Sequence, residues 1–170
     1  MSGIRSGRLY RIDPDRSVHV MLENTGTANG MGFTSDLRTM YFCDSGKACI
    51  YSFEYNRQTG EMTNGQKVVC PPPDQGKPDG MTVDAQDRIW SARWDGWQLV
   101  RHGSDGTVLA TIKFPAAKVS CITFGGKELE DMYVTTAGGY DRQENGGYAG
   151  SLFKGRVPGV KGKPEFRSKF

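Results

Sequence analysis

One strand–turn–strand unit recurs along this chain, and the recurrence limits the available folds more than any other feature. Asn29-Gly-Met-Gly-Phe-Thr-Ser-Asp36 leads through a turn into Met40-Tyr-Phe-Cys-Asp-Ser45. Asp79-Gly-Met-Thr-Val-Asp-Ala-Gln-Asp87 leads into Arg88-Ile-Trp-Ser-Ala-Arg93. Ser120-Cys-Ile-Thr-Phe-Gly-Gly126 leads, after a longer turn, into Met132-Tyr-Val-Thr-Thr-Ala137. The three units start 50 and then 41 residues apart, at Asn29, Asp79 and Ser120. Four-stranded propeller blades repeat at about this distance. A jelly roll or an immunoglobulin-type sandwich would give short strands without the recurrence.

Between the units the apolar pattern keeps a period of two. Val18, Val20 and Leu22 alternate with Ser17, His19 and Met21 after an Asp13-Pro14-Asp15-Arg16 turn. Cys49–Tyr55 is rich in aromatic residues, which favours a strand. Asp95-Gly96 sits between two alternating runs, a strong hairpin signal. No ten-residue stretch carries a helical period. The expectation is an all-β chain, with the last two strands of one blade at 8–22. Two complete blades follow at 27–70 and 78–114, and three further strands at 119–154. That makes an arc of about three blades.

Such an arc cannot close on itself, since small propellers need at least four blades. Left open, it exposes strand edges and apolar faces. The simplest remedy is a second copy related by a two-fold axis, giving a six-bladed homodimeric ring. Residues 1–154 are expected to form the propeller half and 155–170 a solvated basic tail.

Charge and cysteine content exclude several classes. The net charge of +3 is spread along the chain without a Lys/Arg cluster, which points away from nucleic acid. No apolar run approaches the roughly 18 residues needed to cross a bilayer, and no signal peptide is visible. Cys43, Cys49, Cys70 and Cys121 show no Cys-x-x-Cys spacing, and His19 and His102 are the only histidines. A zinc site therefore has little support. Cys43, Cys49 and Cys121 lie in apolar runs, where cysteine acts as a small hydrophobe. A reduced, cytoplasmic protein is expected, with both histidines on the surface.

Asn29 and Asp79 hold the same place in successive units, each directly before Gly-Met. Equivalent positions on innermost propeller strands converge on the central channel. An amide oxygen and a carboxylate aimed at one point suit calcium or magnesium better than zinc. The residues alone leave a second reading open, in which both side chains merely cap the inner strands through turn-type hydrogen bonds. Asp44, Ser45, Arg93, Cys121 and Thr136 are candidate channel-lining residues. The glycine-flanked stretch Gly138–Gly147 is a candidate lid or a simple connection.

Several blocks together resemble one family. Gly7-Arg-Leu-Tyr-Arg-Ile-Asp-Pro-Asp15, Ala28–Asp36, Met40–Ser45, Lys77-Pro-Asp-Gly-Met-Thr-Val-Asp84, Val119–Gly126 and Met132–Ala137 are similar, in order, to the SMP-30/gluconolactonase/luciferin-regenerating-enzyme family. The resemblance implies a six-bladed β-propeller with one divalent metal, often calcium, in its channel. It implies hydrolysis of a small-molecule lactone or sugar-acid derivative. The family's asparagine ligand matches Asn29. Its aspartate ligand, also the proposed general base, matches Asp79. Magnesium or manganese would suit the same oxygens. Thr27-Ala28 replaces the family's proline-containing lead-in. The match begins near the middle of a typical member, so the segment bearing the glutamate ligand lies outside it. The alternative is a non-catalytic half-propeller, a ligand-binding or assembly module that has lost the enzyme site.

Overall fold

The computed structural model describes residues 7–139 and 141–166. Residues 1–6, Tyr140 and 167–170, which belong to the expected propeller half, the glycine-flanked loop and the tail, lie outside them. The described chain is all-β, with thirteen strands and one short helix. Sheet I is a two-stranded ribbon of β1 (Gly7–Ile12) and β2 (Val18–Thr25). Sheet II runs in chain order through β3 (Ala28–Phe33), β4 (Thr39–Asp44), β5 (Cys49–Tyr55) and β6 (Met62–Val69). Sheet III does the same with β7 (Lys77–Val83), β8 (Ile89–Trp94), β9 (Gln98–His102) and β10 (Val108–Lys113). Sheet IV holds β11 (Val119–Gly125), β12 (Asp131–Thr136) and β13 (Leu152–Gly155). All pairings are antiparallel neighbours. The grouping into two, four, four and three strands is the one expected from the sequence.

The repeated unit is repeated backbone geometry. Each first hairpin turns through an i to i+3 hydrogen bond, from Leu37 to Thr34, Asp87 to Asp84 and Leu129 to Gly126. The donor in each has a left-handed φ of 58°, 58° and 56°. The first strand of each unit also carries a β-bulge at the same place. The bulges lie between Ala28 and Met31, between Pro78 and Met81, and between Val119 and Cys121. These first strands lie side by side, β3 against β7 and β7 against β11.

Two apolar clusters hold the sheets together. Tyr41, Cys43, Ile50 and Val69 of sheet II meet Met81, Val83 and Ile89 of sheet III. Trp90, Ala92 and Leu99 of sheet III meet Val119, Ile122, Phe124, Met132 and Val134 of sheet IV, together with Val160.

Three expectations need correction. Residues 156–166, the described part of the expected solvated tail, pack against the sheets instead. Val160 is buried, the Gly162 amide donates to the Leu129 carbonyl, the Ala85 amide donates to Lys161, and Lys163 reaches the Phe33 carbonyl at 2.5 Å. This segment is a strap that touches the first hairpin of each of sheets III, IV and II. His102 is buried rather than on the surface, packed at the far end of β9, whereas His19 is exposed. Cys49 and Cys70 are joined as a disulfide, so the expected fully reduced state does not describe this chain. Cys43 and Cys121 remain free. Among the described residues no helix is long and apolar enough to cross a membrane.

Candidate functional site

The strand register gathers one set of side chains at a single end of the sheets. Ala28 pairs with Asp44, Lys77 with Trp94, Pro78 with Arg93, and Val119 with Thr136. Asn29 and Asp79 occupy the first two bulges at this end. A bulge breaks the strict up-and-down alternation of a strand and re-aims the side chain it carries. Here it turns Asn29 and Asp79 toward each other, and the Asn29 amide Nδ2 donates to Asp79 Oδ1. The same Nδ2 lies 3.2 Å from Ser45 Oγ.

Glycine makes this approach possible. A Cβ on Gly30 would stand 3.1 Å from the Asp79 carbonyl and closer still to Met81. A Cβ on Gly80 would stand 2.6 Å from the Ser120 carbonyl and 2.5 Å from Cys121 Sγ. Neighbouring bulges therefore touch through their glycines, and any larger residue would push the inner strands apart.

Burial raises the Asp79 carboxyl above its ordinary value, and the Asn29 hydrogen bond opposes that only in part. Desolvation disfavours the charged form, and no cationic side chain among the described residues answers it. The result is an under-compensated, half-buried carboxylate beside a carboxamide and a hydroxyl. Such oxygens suit a hard divalent cation. Among the described residues no group of three or more His, Cys, Asp or Glu gathers at one point.

The other sequence candidates divide. Ser45 joins Asn29 and Asp79. Cys121 is exposed beside Gly80, and burial of its sulfur raises the thiol above its usual range. Asp44 does not line the site. It is 1% exposed, and its carboxylate accepts the backbone amides of Gly26, Thr27 and Lys47 at 2.9 to 3.2 Å. Thr136 is buried, with its hydroxyl 2.8 Å from the Ser151 carbonyl, and so serves the β12–β13 connection. Arg93 is 1% exposed and runs between sheets II and III, where its Nη2 lies 2.8 Å from His102 Nε2. A carbonyl only accepts, so the 3.0 Å contact of His102 Nδ1 with Gly106 O puts the proton on Nδ1 and leaves Nε2 to accept from Arg93. Arg93 Nε and Nη1 find no partner among the described residues.

The glycine-flanked loop folds into α1 (Arg142–Asn145), capped by Asp141. Asn145 is buried and ties the loop to the segment before β11, with Oδ1 2.7 Å from Lys118 Nζ and its carbonyl accepting from Ala117. Sequence reasoning missed the Asp44 clamp and the Arg93–His102 contact. The Asp-Ser at the end of β4 was a signal for the first, whereas nothing in the strand pattern marked the second.

Repeated antiparallel sheets with their inner strands in contact, and an amide–carboxylate pair at one end, define the class of this chain as an all-β protein built from a repeated sheet unit. The sequence matches the SMP-30/Gluconolactonase/LRE-like region over residues 1–138, and the chain belongs to that family. It is 40% identical over 174 residues to pentonolactonase XacC of Haloferax volcanii, covering 98% of this chain and 60% of that protein. It is 34% identical over 166 residues to regucalcin of Gallus gallus, covering 95% and 56%. A luciferin-regenerating enzyme superposes with a TM-score of 0.88 at 28% identity, over 96% of this chain and 55% of that one. A calcium-binding regucalcin from Agrobacterium tumefaciens gives 0.82 at 25%, over 92% and 54%. The chain thus spans little more than half the length of the relatives it matches.

Proposed function

We propose that this chain carries part of the site of a metal-dependent lactonase-type hydrolase acting on a small lactone of a sugar acid. The observation that carries the reading is the convergence of Asn29 and Asp79 from equivalent bulges, with the Asp79 carboxylate half-buried and unpaired by any cationic side chain among the described residues. The lactonase, regucalcin and gluconolactonase names among its relatives support the substrate class.

Asn29 and Asp79 would hold the divalent cation, calcium by the hardness of their oxygens, with magnesium or manganese as substitutes. Bound there, the cation supplies Lewis acidity toward a lactone carbonyl. Asp79 holds and moves the proton. Its desolvated carboxylate is a stronger base than an exposed one and acts as general base toward water. The glycines at 30 and 80 keep the inner strands close enough for both side chains to serve one locus.

In the same reading, sheets II to IV are blades of an arc from a six-bladed propeller, closed by a second copy. Tyr10 and Ile12 pair across the ribbon with Val20 and Val18, and all four are exposed. On sheet IV, β13 pairs among the described residues only with β12. An apolar face and a free strand edge both favour a partner.

Hydrolysis of a simple aldonolactone by the purified protein, stimulated by added calcium and abolished in Asp79→Ala, is the expected result. Undiminished hydrolysis after exhaustive chelation overturns the metal role. The small donor set favours a second reading, a non-catalytic assembly module. Firm dimerisation in light scattering, without calcium-dependent stabilisation or turnover, selects that reading.

A further inference from the structure

We infer that the Ser45 hydroxyl is a third protein oxygen of the cation site, held in place by the Asp44 clamp. The inference rests on the cation reading given above and deepens it. Asn29 Nδ2 touches both Asp79 Oδ1 and, at 3.2 Å, Ser45 Oγ. Three side chains from three separate stretches therefore surround one point, the bulge of β3, the bulge of β7 and the turn after β4.

The backbone fixes this meeting. Ser45 opens a short 3-10 turn (Ser45–Lys47), and its amide donates to the Thr27 carbonyl at 3.0 Å. The buried Asp44 carboxylate binds the amides of Gly26 and Thr27 on one side and of Lys47 on the other. A Cβ on Gly26 would stand 2.8 Å from Gly46 Cα, so the two loops touch backbone to backbone. The segment leading into Asn29 and the turn carrying Ser45 therefore behave as one rigid piece. Preorganised donors lose little freedom on binding.

The chemistry is that of a hard-cation site of low charge. It combines one carboxylate, one carboxamide and one hydroxyl, leaving room for water at the remaining positions of a six- to eight-coordinate calcium ion. The Asn29 amide nitrogen faces Asp79 Oδ1 and sets the positive end of its dipole beside that carboxylate. A half-turn of the amide presents its oxygen to the same point, since the two ends of a carboxamide are nearly alike in shape. The carboxamide can thus face Asp79 with its N–H when no ion is present and with its oxygen when one is. Ser45 accepts from the N–H in the first arrangement and offers a lone pair in the second.

The test is calcium binding, read by isothermal titration and by calcium-dependent thermal stabilisation, on the purified protein in its native oligomeric state. Wild type, Ser45→Ala, Ser45→Thr and Asp79→Asn are compared. The expectation is that Asp79→Asn abolishes binding, Ser45→Ala weakens it roughly tenfold, and Ser45→Thr keeps it. Equal calcium affinity in Ser45→Ala and wild type, with Asp79→Asn still silent, overturns the Ser45 assignment while leaving the cation reading intact. No calcium response in wild type overturns both. A Ser45→Ala protein that melts lower without calcium yet binds it like wild type shows Ser45 to be structural only, and likewise overturns the assignment.

Discussion

The two faces of sheet III are built differently, and β8 displays the contrast residue by residue. Trp90 and Ala92 turn toward sheet IV and join Leu99, Val119, Ile122 and Val134, all apolar and all at most 3% exposed. Ile89, Ser91 and Arg93 turn toward sheet II, where the apolar cluster gives way to a guanidinium, an imidazole and the Cys43 thiol. One seam is dry. The other buries a cation with no anion beside it, and burial brings Arg93 down to about 10. Burial likewise pushes Cys43 up to about 12, so it remains a neutral thiol. Close packing accounts for the apolar part of the dry seam, and its one polar contact is satisfied, the Trp90 Nε1 donating to the buried Asp84 carboxylate that Arg101 pairs. The polar seam runs up to the Asn29–Asp79 end, so this chain accepts imperfect burial beside its candidate site.

The sharpest way to break this contrast is to cut one side chain from each seam. Leu99 is fully buried in the dry seam, and Leu99→Ala is expected to lower stability by about 3 kcal/mol through lost transfer energy and a residual cavity. Arg93→Met removes a buried cation and keeps an unbranched chain of similar length. It is expected to stay within about 1 kcal/mol of wild type, since an uncompensated charge repays little for its burial. Urea unfolding of the two variants checks the difference. A cost at Arg93 matching that at Leu99 would show the guanidinium to be structurally paired after all.

Acid sharpens the comparison further. Burial first, and then the neighbouring Arg93, lower His102 to about 4 from an ordinary 6.5. The unfolded chain therefore binds a proton there more readily than the folded one between those values. The stability is fully present above about pH 6.5 and drains away as pH falls through about 4, by roughly 3 kcal/mol in all. Other titratable groups facing this contact are Cys43 across the seam and, beyond it, Asp79. His102→Gln offers Arg93 a carbonyl oxygen and does not titrate. Its stability should change less between pH 7 and pH 4.5 than that of wild type. Parallel pH profiles would remove His102 from the account.

How much of this was legible in the sequence follows from what local pattern encodes. Strand grouping was readable because alternation and turn residues act over a few positions. Asn29 and Asp79 were readable because equivalent places in a repeat converge, and Gly30 and Gly80 mark that convergence. The Asp44 clamp was hidden, because its three amide partners come from a loop 17 residues earlier as well as from its own turn. The Arg93–His102 contact links opposite ends of adjacent strands, and a period-two pattern assigns a face without saying how far a long side chain reaches along it. The strap defeated a composition-based reading altogether. Its Lys and Gly residues look like a solvated end, yet Lys163 donates to Phe33 O and Asp87.

That strap crosses both seams, so it separates them a third way, with the smallest effect. Val160 belongs to the dry seam. Lys163 serves the other, joining the Phe33 carbonyl at the end of β3 to Asp87 in the β7–β8 turn, 2.5 and 3.1 Å away. Both Lys163 partners are partly exposed, so the ion pair itself is screened and worth little. The bond to the carbonyl is a charge-assisted one, and Lys163→Met should cost about 1 kcal/mol. Hydrogen exchange should then quicken at the Ser35 amide, which also leans on Asp87, and stay unchanged at Ala85 and Gly162, whose bonds to the strap do not pass through Lys163. Faster exchange at all three would mean that the strap peels as one piece and that the two seams share a single clasp.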